Sequence, residues 1–260
     1  MRARCATIPD MRILAFDTAT PATTVALALP DGRTLSRRHD PGPGERPGHQ
    51  ALLLSFAVEL LDEAGSDFAA LDRLAVGLGP GTFTGLRIGV ATARALAQSH
   101  DLPLVGVSTL HSLAAGADGA ADEAATSETV LAVLDARRGE AFAGAWPRAQ
   151  ASDPDATPLL APAALTPDAL TAAVAALPPG ASAPLGVGDG ALRFREQLEA
   201  AGVDVPADGS PLHRVDAVVH CRLGAALEPV ARDAVLPTYL RLPDAELALR
   251  RRESERDPST

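Results

Sequence analysis

The 260-residue sequence contains no lysine, since all 23 of its basic residues are arginine. This absence excludes the phosphate-binding lysine of a P-loop, a Schiff-base lysine and the lysine of a protein kinase. Aromatic residues are also scarce, at 3% of the chain, so Ala, Leu and Val must form most of any core. Hydrophobic residues still make up 47% of the sequence, which predicts one large domain or two lobes rather than a disordered chain.

The sequence also has a deficit of positive charge and few cysteines. A net charge of −10 disfavours binding to nucleic acid without a partner. Cys5 and Cys221 are too far apart for a ligand pair of recognisable spacing, and two cysteines make no disulfide framework, so we expect a reduced, cytoplasmic protein. No apolar run reaches about 18 residues, and residues 1–10 lack the apolar region of a signal peptide. We therefore expect no membrane segment.

The residue types of common active sites are not arranged for catalysis. The six histidines include no pair at the i, i+4 spacing of a helical metal site, and we expect each of them at the surface or in a loop. The sequence has no Gly-x-Ser-x-Gly motif, and neither cysteine has an obvious catalytic partner. The sequence therefore predicts no metal site and no catalytic residue.

Apolar runs separated by turns predict an α/β protein built from two similar lobes. The first half reads as three strands, a helix, a strand, a second helix and a strand, and residues 130–146 open the second half with another hairpin. We predict a duplicated lobe, the alternative being that two unrelated hairpins resemble each other. The predicted units are a flexible extension at 1–10, an N-terminal lobe with dimerisation helices at 11–112, a C-terminal lobe at 113–249 and a disordered tail at 250–260. Within these units we predict a helix at 49–64, a linker at 115–129 and a helix at 215–231.

Two aspartates, Asp17 and Asp135, each end a predicted strand just before a turn. In a two-lobed nucleotide-binding protein, carboxylates in these places could hold Mg²⁺ and phosphates between the lobes. Here Thr18 and Thr20 stand in a turn where glycine would let a phosphate approach the backbone, and two arginines follow Asp135. We interpret Asp17, Thr18, Thr20 and Asp135 as degenerate phosphate-loop positions.

A glycine-rich segment at 77–89 spans a predicted strand-to-helix turn, with Gly79, Gly81, Thr84 and Gly85 as its loop residues. Backbone N–H groups and the helix dipole could bind a phosphate at such a turn. The missing lysine and Pro80, which has no N–H group, favour the other interpretation, a tight turn with close helix packing.

Both helices of the predicted N-terminal lobe carry features that suit a second packing surface. On the first helix, apolar residues span roughly 220° of the wheel, whereas packing on a sheet needs only about 100°. On the second, a glycine or alanine recurs every fourth residue from 85 to 97, which suits either a facing helix or packing within the chain. We predict a partner interface that comprises Leu53, Phe56, Val58, Leu60, Leu86, Gly89, Val90 and Ala93.

Five segments resemble one protein family. Four of them are Met-Arg-Ile-Leu-Ala-Phe-Asp-Thr-Ala-Thr at 11–20, Gly-Pro-Gly-Thr-Phe-Thr-Gly-Leu-Arg-Ile-Gly at 79–89, Gly-Val-Ser-Thr-Leu at 106–110 and Asp-Ala-Arg-Arg-Gly-Glu at 135–140. The fifth, Pro-Thr-Tyr-Leu-Arg at 237–241, fits the family's terminal motif. By these motifs the sequence resembles the TsaB (YeaZ) family, densely over 11–146 and more thinly over 150–235.

The resemblance implies a two-lobed ASKHA (actin/hexokinase/Hsp70-like) fold with duplicated βββαβα-type lobes. It also implies a non-catalytic subunit that supports threonylcarbamoyl transfer to the adenosine beside the anticodon of tRNAs that read codons starting with A. In this family the catalytic partner is TsaD, the ATPase TsaE joins the pair, and tRNA is bound only through the complex. The resemblance implies no cofactor for this chain alone. It leaves open a nucleotide at the interface with TsaD and a homodimer of the isolated chain.

Two other classes of function compete with this hypothesis. An ASKHA-fold ATPase or kinase, or a metalloprotease-like enzyme, is disfavoured by the missing metal ligands and by the turn that contains Thr18. A stand-alone tRNA-binding protein is disfavoured by the net charge of −10 and by the few aromatic residues available for base stacking.

Overall fold

Two β-sheets with the same strand order form the framework of the chain. The structure is a computed structural model that describes residues 10–119 and 127–241. The first sheet contains β1 (Ile13–Asp17), β2 (Thr23–Ala28), β3 (Thr34–His39), β4 (Arg73–Gly79) and β5 (Leu104–Ser108), in the order β3-β2-β1-β4-β5. The second contains β6 (Thr129–Arg137), β7 (Glu140–Pro147), β8 (Leu160–Leu165) and β9 (Leu185–Val187), in the order β8-β7-β6-β9. The strands β1 and β6 occupy equivalent places, each between an antiparallel and a parallel neighbour.

The α-helices of the described residues lie on the faces of these sheets. They are α1 (His49–Glu63), α2 (Phe83–Ser99), α3 (Thr109–Gly116), α4 (Pro167–Ala175), α5 (Asp189–Arg193), α6 (Arg195–Ala200) and α7 (Ala217–Ala226). Both lobes therefore run strand, strand, strand, helix, strand, helix, which confirms the predicted duplicated βββαβα-type lobes. In the second lobe, a single parallel bridge between Leu185 and Asp204 stands where the first lobe has β5.

Alternation along the central strand explains how the first sheet is covered on both faces. Successive side chains of a strand point to opposite faces. In β1, Leu14 and Phe16 pack in one core with α1 and α2, whereas Ile13 and Ala15 pack in another core with α7. Because both faces are buried, β1 is apolar at four consecutive positions and does not alternate with polar residues.

Two helices cross between the lobes. Helix α3 follows the first sheet in sequence, yet its Leu110 and Leu113 belong to the core of the second sheet. Helix α7 follows the second sheet, yet its Val219 and Cys221 pack on the first. The predicted boundary between residues 112 and 113 therefore falls inside α3 and does not separate the two cores. The predicted linker at 115–129 is wrong at its start, because α3 continues to Gly116 and its end is buried.

Local sequence sets the ends of the other helices. Helix α1 ends at Glu63 and Gly65 follows with a φ of +61°, close to the prediction. The helix predicted at 215–231 is wrong at both ends, since α7 begins after the cap Asp216 and stops at Ala226, shortly before Pro229. Residues 1–9 of the predicted extension and the whole predicted tail at 250–260 lie outside the described residues. Within residues 10–119 and 127–241, no helix combines the length and apolar character that crossing a membrane requires.

Arg73, the first residue of β4, fastens the end of α7 to the first sheet. Its Nη1 donates to the carbonyl oxygens of Gly224 at 2.7 Å, Ala225 at 3.1 Å and Leu227 at 2.7 Å. The last carbonyls of a helix have no partner within the helix, and a cation beside them is favourable to the helix dipole. Arg73 therefore holds the crossing helix by its carboxyl end.

We expect Arg73→Met to lower the free energy of unfolding by about 1.5–3 kcal/mol, which is the net value of a hydrogen bond to a charged group. The matched control is Arg33→Met, because Arg33 only pairs with Asp31 at the exposed surface, and such pairs contribute at most about 1 kcal/mol. Urea unfolding measures both free energies. Equal losses in the two variants would contradict the role of Arg73.

Candidate functional site

Asp17, the last residue of β1, is buried where β1 meets the two crossing helices. Its Oδ2 accepts hydrogen bonds from Thr109 Oγ1 of α3 at 2.7 Å and from His220 Nε2 of α7 at 3.0 Å. Its Oδ1 accepts a hydrogen bond from the N–H of Ala19 at 2.6 Å. Donors of the chain itself therefore surround the carboxylate that would otherwise face a metal ion.

His220 also contacts Ser112, which completes a Ser–His–Asp arrangement. Ser112 Oγ lies 2.9 Å from His220 Nδ1, opposite the contact of Nε2 with Asp17. In a hydrolase triad the histidine takes a proton from a serine that the substrate can reach. Here all three side chains are at most 1% exposed. A substrate cannot reach Ser112 in this structure, so the arrangement ties α3, α7 and β1 together.

Opposing effects set the charge of Asp17. Burial by itself raises the pKa of its carboxyl group. The hydrogen bond and the charge of His220, with the hydrogen bonds from Thr109 and Ala19, outweigh burial and hold the pKa below its usual value. Asp17 is therefore ionised near neutral pH, and hydrogen bonds from Thr109, His220 and Ala19 stabilise its charge inside the protein.

The expectation that every histidine lies at the surface or in a loop is wrong for His49, His111, His213 and His220, which are buried. At least one ring nitrogen of each is hydrogen-bonded, which offsets part of the cost of burial. Sequence reasoning missed His220 and Thr109 because they lie 203 and 92 residues from Asp17. The one local signal was the position of Thr109 in the Gly-Val-Ser-Thr-Leu motif.

The glycine-rich segment packs against the turn that follows Asp17. The N–H of Thr82 donates to Ala19 O at 2.7 Å. A Cβ on Gly81 would lie 2.3 Å from the same oxygen, and a Cβ on Gly85 would lie 2.0 Å from Thr18 O. The glycines therefore allow two turns of the same chain to approach each other, and the interpretation as a tight turn with close packing is confirmed.

The remaining predicted loop residues differ in their surroundings. Gly79 is buried with a φ of +95°, a backbone conformation that favours glycine, and its N–H donates to Thr109 Oγ1 at 3.1 Å. Thr84 is exposed in the first turn of α2. Gly77, earlier in β4, faces the aspartate directly, because a Cβ there would lie 1.9 Å from Asp17 Oδ2.

Asp135 belongs to a second, arginine-containing cluster. Its Oδ2 lies 3.0 Å from Arg193 Nη1 and 3.3 Å from Arg137 Nη1. Its N–H donates to Oδ1 of Asp189 at 3.1 Å, and burial raises the pKa of Asp189. The guanidinium groups of Arg137 and Arg193 thus lie beside Asp135. In a functional phosphate loop, a carboxylate at this position would bind Mg²⁺.

Thr20 lines a cavity between the lobes of about 260 Å³. This volume is below the roughly 300–1,000 Å³ of most small-molecule sites. Its charged lining residues are Asp40, Asp189, Asp208, Arg38 and Arg214, an excess of acid that does not favour phosphate. Among the described residues, no group of three or more His, Cys, Asp or Glu side chains is placed to hold a metal ion. The expectations of no metal and no cofactor for this chain alone stay predictions.

Most of the predicted interface residues contact the chain's own core. The buried ones are Leu53, Leu60, Leu86, Gly89, Val90 and Ala93. The prediction that they face a partner is wrong, because α1 and α2 turn these side chains towards their own sheet and the Thr18 turn. Phe56 is half-buried against the same core. Val58 is 44% exposed, and Leu54, one turn earlier in α1, is 47% exposed.

The two lobes share one topology. An aspartate ends the central strand of the first lobe, and another lies near the end of the central strand of the second lobe. These features define an α/β protein of the ASKHA (actin/hexokinase/Hsp70-like) fold class. The structure of YeaZ from Pseudomonas aeruginosa superposes with a TM-score of 0.70 at 32% identity, covering 88% of this chain and all of that one. The chain belongs to the TsaB (YeaZ) family. A second solved structure, of a protein described as similar to the peptidase YeaZ from Pseudomonas aeruginosa, gives a TM-score of 0.71 at 33% identity over 89% of this chain and all of that one.

Sequence comparisons agree with the structural ones over about half of the chain. Residues 46–153 match the family model TsaD, tRNA N6-adenosine threonylcarbamoyltransferase. The tRNA threonylcarbamoyladenosine biosynthesis protein TsaB of Escherichia coli is 42% identical over 135 residues, which are 51% of this chain and 53% of that protein. The TsaB protein of Haemophilus influenzae is 36% identical over 51% of this chain and 52% of that protein. The matched region spans about half the length of these curated relatives.

Gly77→Ala should lower the free energy of unfolding, because its Cβ cannot fit beside Asp17 Oδ2. Overpacking of a core typically costs about 1–3 kcal/mol. Gly116→Ala is the matched control, since its Cβ would meet nothing closer than 3.7 Å and alanine favours the helix. Urea unfolding compares the two variants, and an unchanged stability of Gly77→Ala would show that Asp17 is not confined as described.

Asp17→Asn should cost about 1.5–3 kcal/mol at pH 7, since it removes the buried carboxylate that accepts hydrogen bonds from Thr109, His220 and Ala19. The pKa of Asp17 is lower in the folded than in the unfolded protein. Its contribution to the free energy of unfolding is therefore complete above the unfolded pKa of about 3.9 and is lost as the pH falls through the folded pKa. The stability difference between wild type and variant should therefore narrow below about pH 4. Urea unfolding at several pH values measures this difference, and a constant difference would refute an ionised, hydrogen-bonded Asp17.

Proposed function

We propose that this chain is the non-catalytic subunit that supports threonylcarbamoyl transfer to the adenosine beside the anticodon of tRNAs that read codons starting with A. In this proposal it dimerises with TsaD, the catalytic subunit, and the pair recruits the ATPase TsaE. Membership of the TsaB family supports the pathway. The match of residues 46–153 to the TsaD family model supports a common architecture for the two partners.

The hydrogen bonds that the chain itself donates to Asp17 carry the non-catalytic part of the proposal. A nucleotide-hydrolysing site of this fold class needs carboxylates that are open to Mg²⁺ and phosphate. Asp17 instead accepts from Thr109, His220 and Ala19, and the backbone that could approach a phosphate is packed against glycines 81 and 85. This arrangement also gives Ser112 no access to a peptide substrate.

The outer face of α1 supports the partner part of the proposal. Leu54 and Val58 are one turn apart and expose nearly half of their surface, whereas Leu53, Ala57 and Leu60 on the opposite side are buried. One part of the wide apolar arc of α1 thus packs on the sheet, and the other part faces solvent. An outward apolar pair on a helix is the kind of feature that a partner helix covers in a helical bundle. We place the contact with TsaD at this face.

The experiment replaces both exposed residues, as Leu54→Glu with Val58→Glu, and measures binding to the host's TsaD by calorimetry. Loss of hot-spot contacts of at least about 2 kcal/mol predicts a weakening of at least roughly thirtyfold. In an assay reconstituted with TsaD, TsaE, tRNA and threonylcarbamoyl-adenylate as the donor, threonylcarbamoyl transfer should fall in parallel. The melting temperature of the isolated chain should stay unchanged, since both side chains already face solvent.

Val230→Glu is the matched control, because Val230 is similarly exposed, at 50%, but lies outside α1. It should leave binding and transfer unchanged. Equal effects of the two substitutions would contradict the interface. Full transfer activity without this chain, or metal-dependent turnover by this chain alone that Asp17→Ala abolishes, would overturn the proposed function.

A further inference from the structure

His49 is the one buried residue in a segment that otherwise lies at or near the surface. The segment covers residues 40–52, from the loop after β3 to the first turn of α1, and its other residues are exposed or half-buried. His49 is the first residue of α1 and is 3% exposed. Its imidazole ring is therefore the anchor that holds the loop and the start of α1 against the first sheet.

The buried imidazole of His49 has a hydrogen-bond partner on one nitrogen only. Its Nδ1 lies 2.8 Å from Thr23 Oγ1 at the start of β2. Its Nε2 is also buried, and no group of residues 10–119 or 127–241 hydrogen-bonds to it. A neutral imidazole has one N–H donor and one acceptor, whereas the protonated ring has an N–H on both nitrogens. Protonation would therefore place a charged N–H group inside the protein without an acceptor, which is costly.

The place of His49 at the start of a helix opposes a positive charge for a second reason. The N-terminus of a helix carries a partial positive charge, which a carboxylate in the first turn can offset. The cap residue Gly48 has no side chain to accept from the free N–H groups, and the first turn of α1 contains no Asp or Glu. A proton on His49 would thus be repelled by the helix dipole as well.

The ionisable groups around His49 come from two strands and the loop. Burial lowers the pKa of the His49 imidazole and outweighs the charge of Asp17 at the end of β1, which acts in the opposite direction. His39 of β3 is the cross-strand neighbour of Thr23, and its Nε2 lies 3.8 Å from Glu45 Oε1 in the loop. The side chain of His39 is 32% exposed, so solvent reaches it. His49 is therefore the group of this set whose protonation the fold opposes.

We propose that His49 is a pH-sensitive anchor of the start of α1. The neutral ring stays buried beside Thr23 and keeps the segment 40–52 closed on the sheet. The protonated ring is more stable in water, so mild acid releases this segment by local opening while the sheet and α2 keep their structure. Leu54 follows the segment within α1, so the opening also loosens the outward apolar face of that helix.

Amide hydrogen exchange of the isolated chain, followed by NMR and corrected for the intrinsic exchange rate at each pH, measures this opening. The pKa of His49 is lower in the closed than in the open segment, so the closed segment loses stability as the pH falls below the open-state pKa of about 6.5. The opening equilibrium at the N–H groups of Leu52 and Leu53 should rise severalfold between about pH 7.5 and about pH 5.5. One extra proton in the open state sets a ceiling of about tenfold for this rise. The N–H group of Val90 in α2 should show no such rise.

His49→Gln, which keeps a polar side chain but cannot be protonated, should abolish the pH dependence at Leu52 and Leu53. His111→Gln is the matched control. His111 is also buried and burial lowers its pKa, but it lies in α3, where its Nε2 is 2.9 Å from Ala151 O. This control should show the same pH dependence in α1 as the wild type.

Three results would overturn the pH-sensitive anchor. They are exchange at Leu52 and Leu53 that does not change with pH, a pH dependence that persists in His49→Gln, and an equal rise at Val90, which would indicate global unfolding. Direct NMR titration of the imidazole in the wild type needs no variant and decides the matter if His49→Gln fails to fold. A His49 pKa at or above about 6.5, the ordinary value, would overturn the proposal.

The consequence for a partner rests on the proposed function and has its own measurement. If TsaD binds at Leu54 and Val58, calorimetry should show a weaker affinity at about pH 5.5 than at about pH 7.5 for the wild type, and a smaller change for His49→Gln. An affinity that stays constant while exchange at Leu52 rises would contradict the contact of TsaD with α1, and it would support the anchor as a property of the chain alone.

Discussion

The buried carboxylate of Asp17 is the contact on which the arrangement of the two lobes depends. It ends the central strand β1, and its hydrogen-bond donors come from both helices that cross between the lobes, Thr109 of α3 and His220 of α7. A buried charge is tolerated only when it is paired and hydrogen-bonded. The need to satisfy this one carboxylate therefore fixes where α3 and α7 lie, and with them the exchange of helices between the two cores.

The same contact determines what chemistry the cleft between the lobes can perform. Once Asp17 is paired with His220 and Asp135 with arginines, neither carboxylate is open to Mg²⁺. Glycines 81 and 85 let the neighbouring turns close on each other, which removes the space that a phosphate would need. The fold thus keeps the topology of its class, while Asp17, Asp135 and the glycine-rich turn are held by contacts within the chain. The exposed apolar residues of α1, Leu54 and Val58, lie away from this cleft.

Sequence patterns predicted the fold well because its signals are local. Apolar runs, Gly65 after α1 and the repeated strand–turn–strand order gave the two lobes with the βββαβα order that the structure confirms. The family motifs predicted the place of the glycine-rich turn and of both aspartates. A partner surface on α1 stays a prediction: Leu54 and Val58 do face outward, but Leu53 and Ala93, which were predicted to belong to it, lie in the core. A helical wheel shows how wide an apolar arc is and not which part of it the sheet covers.

The sequence by itself determined the elements, their duplication and the lack of lysine chemistry, because propensity, periodicity and composition act within short stretches of chain. Only the tertiary structure decided which distant groups share a charge or a space. It brought His220 to Asp17 across 203 residues, and it buried His49 of α1 beside Thr23 of β2. Such contacts leave no periodic trace, since they arise from the packing of lobes and crossing helices rather than from the order of neighbouring residues.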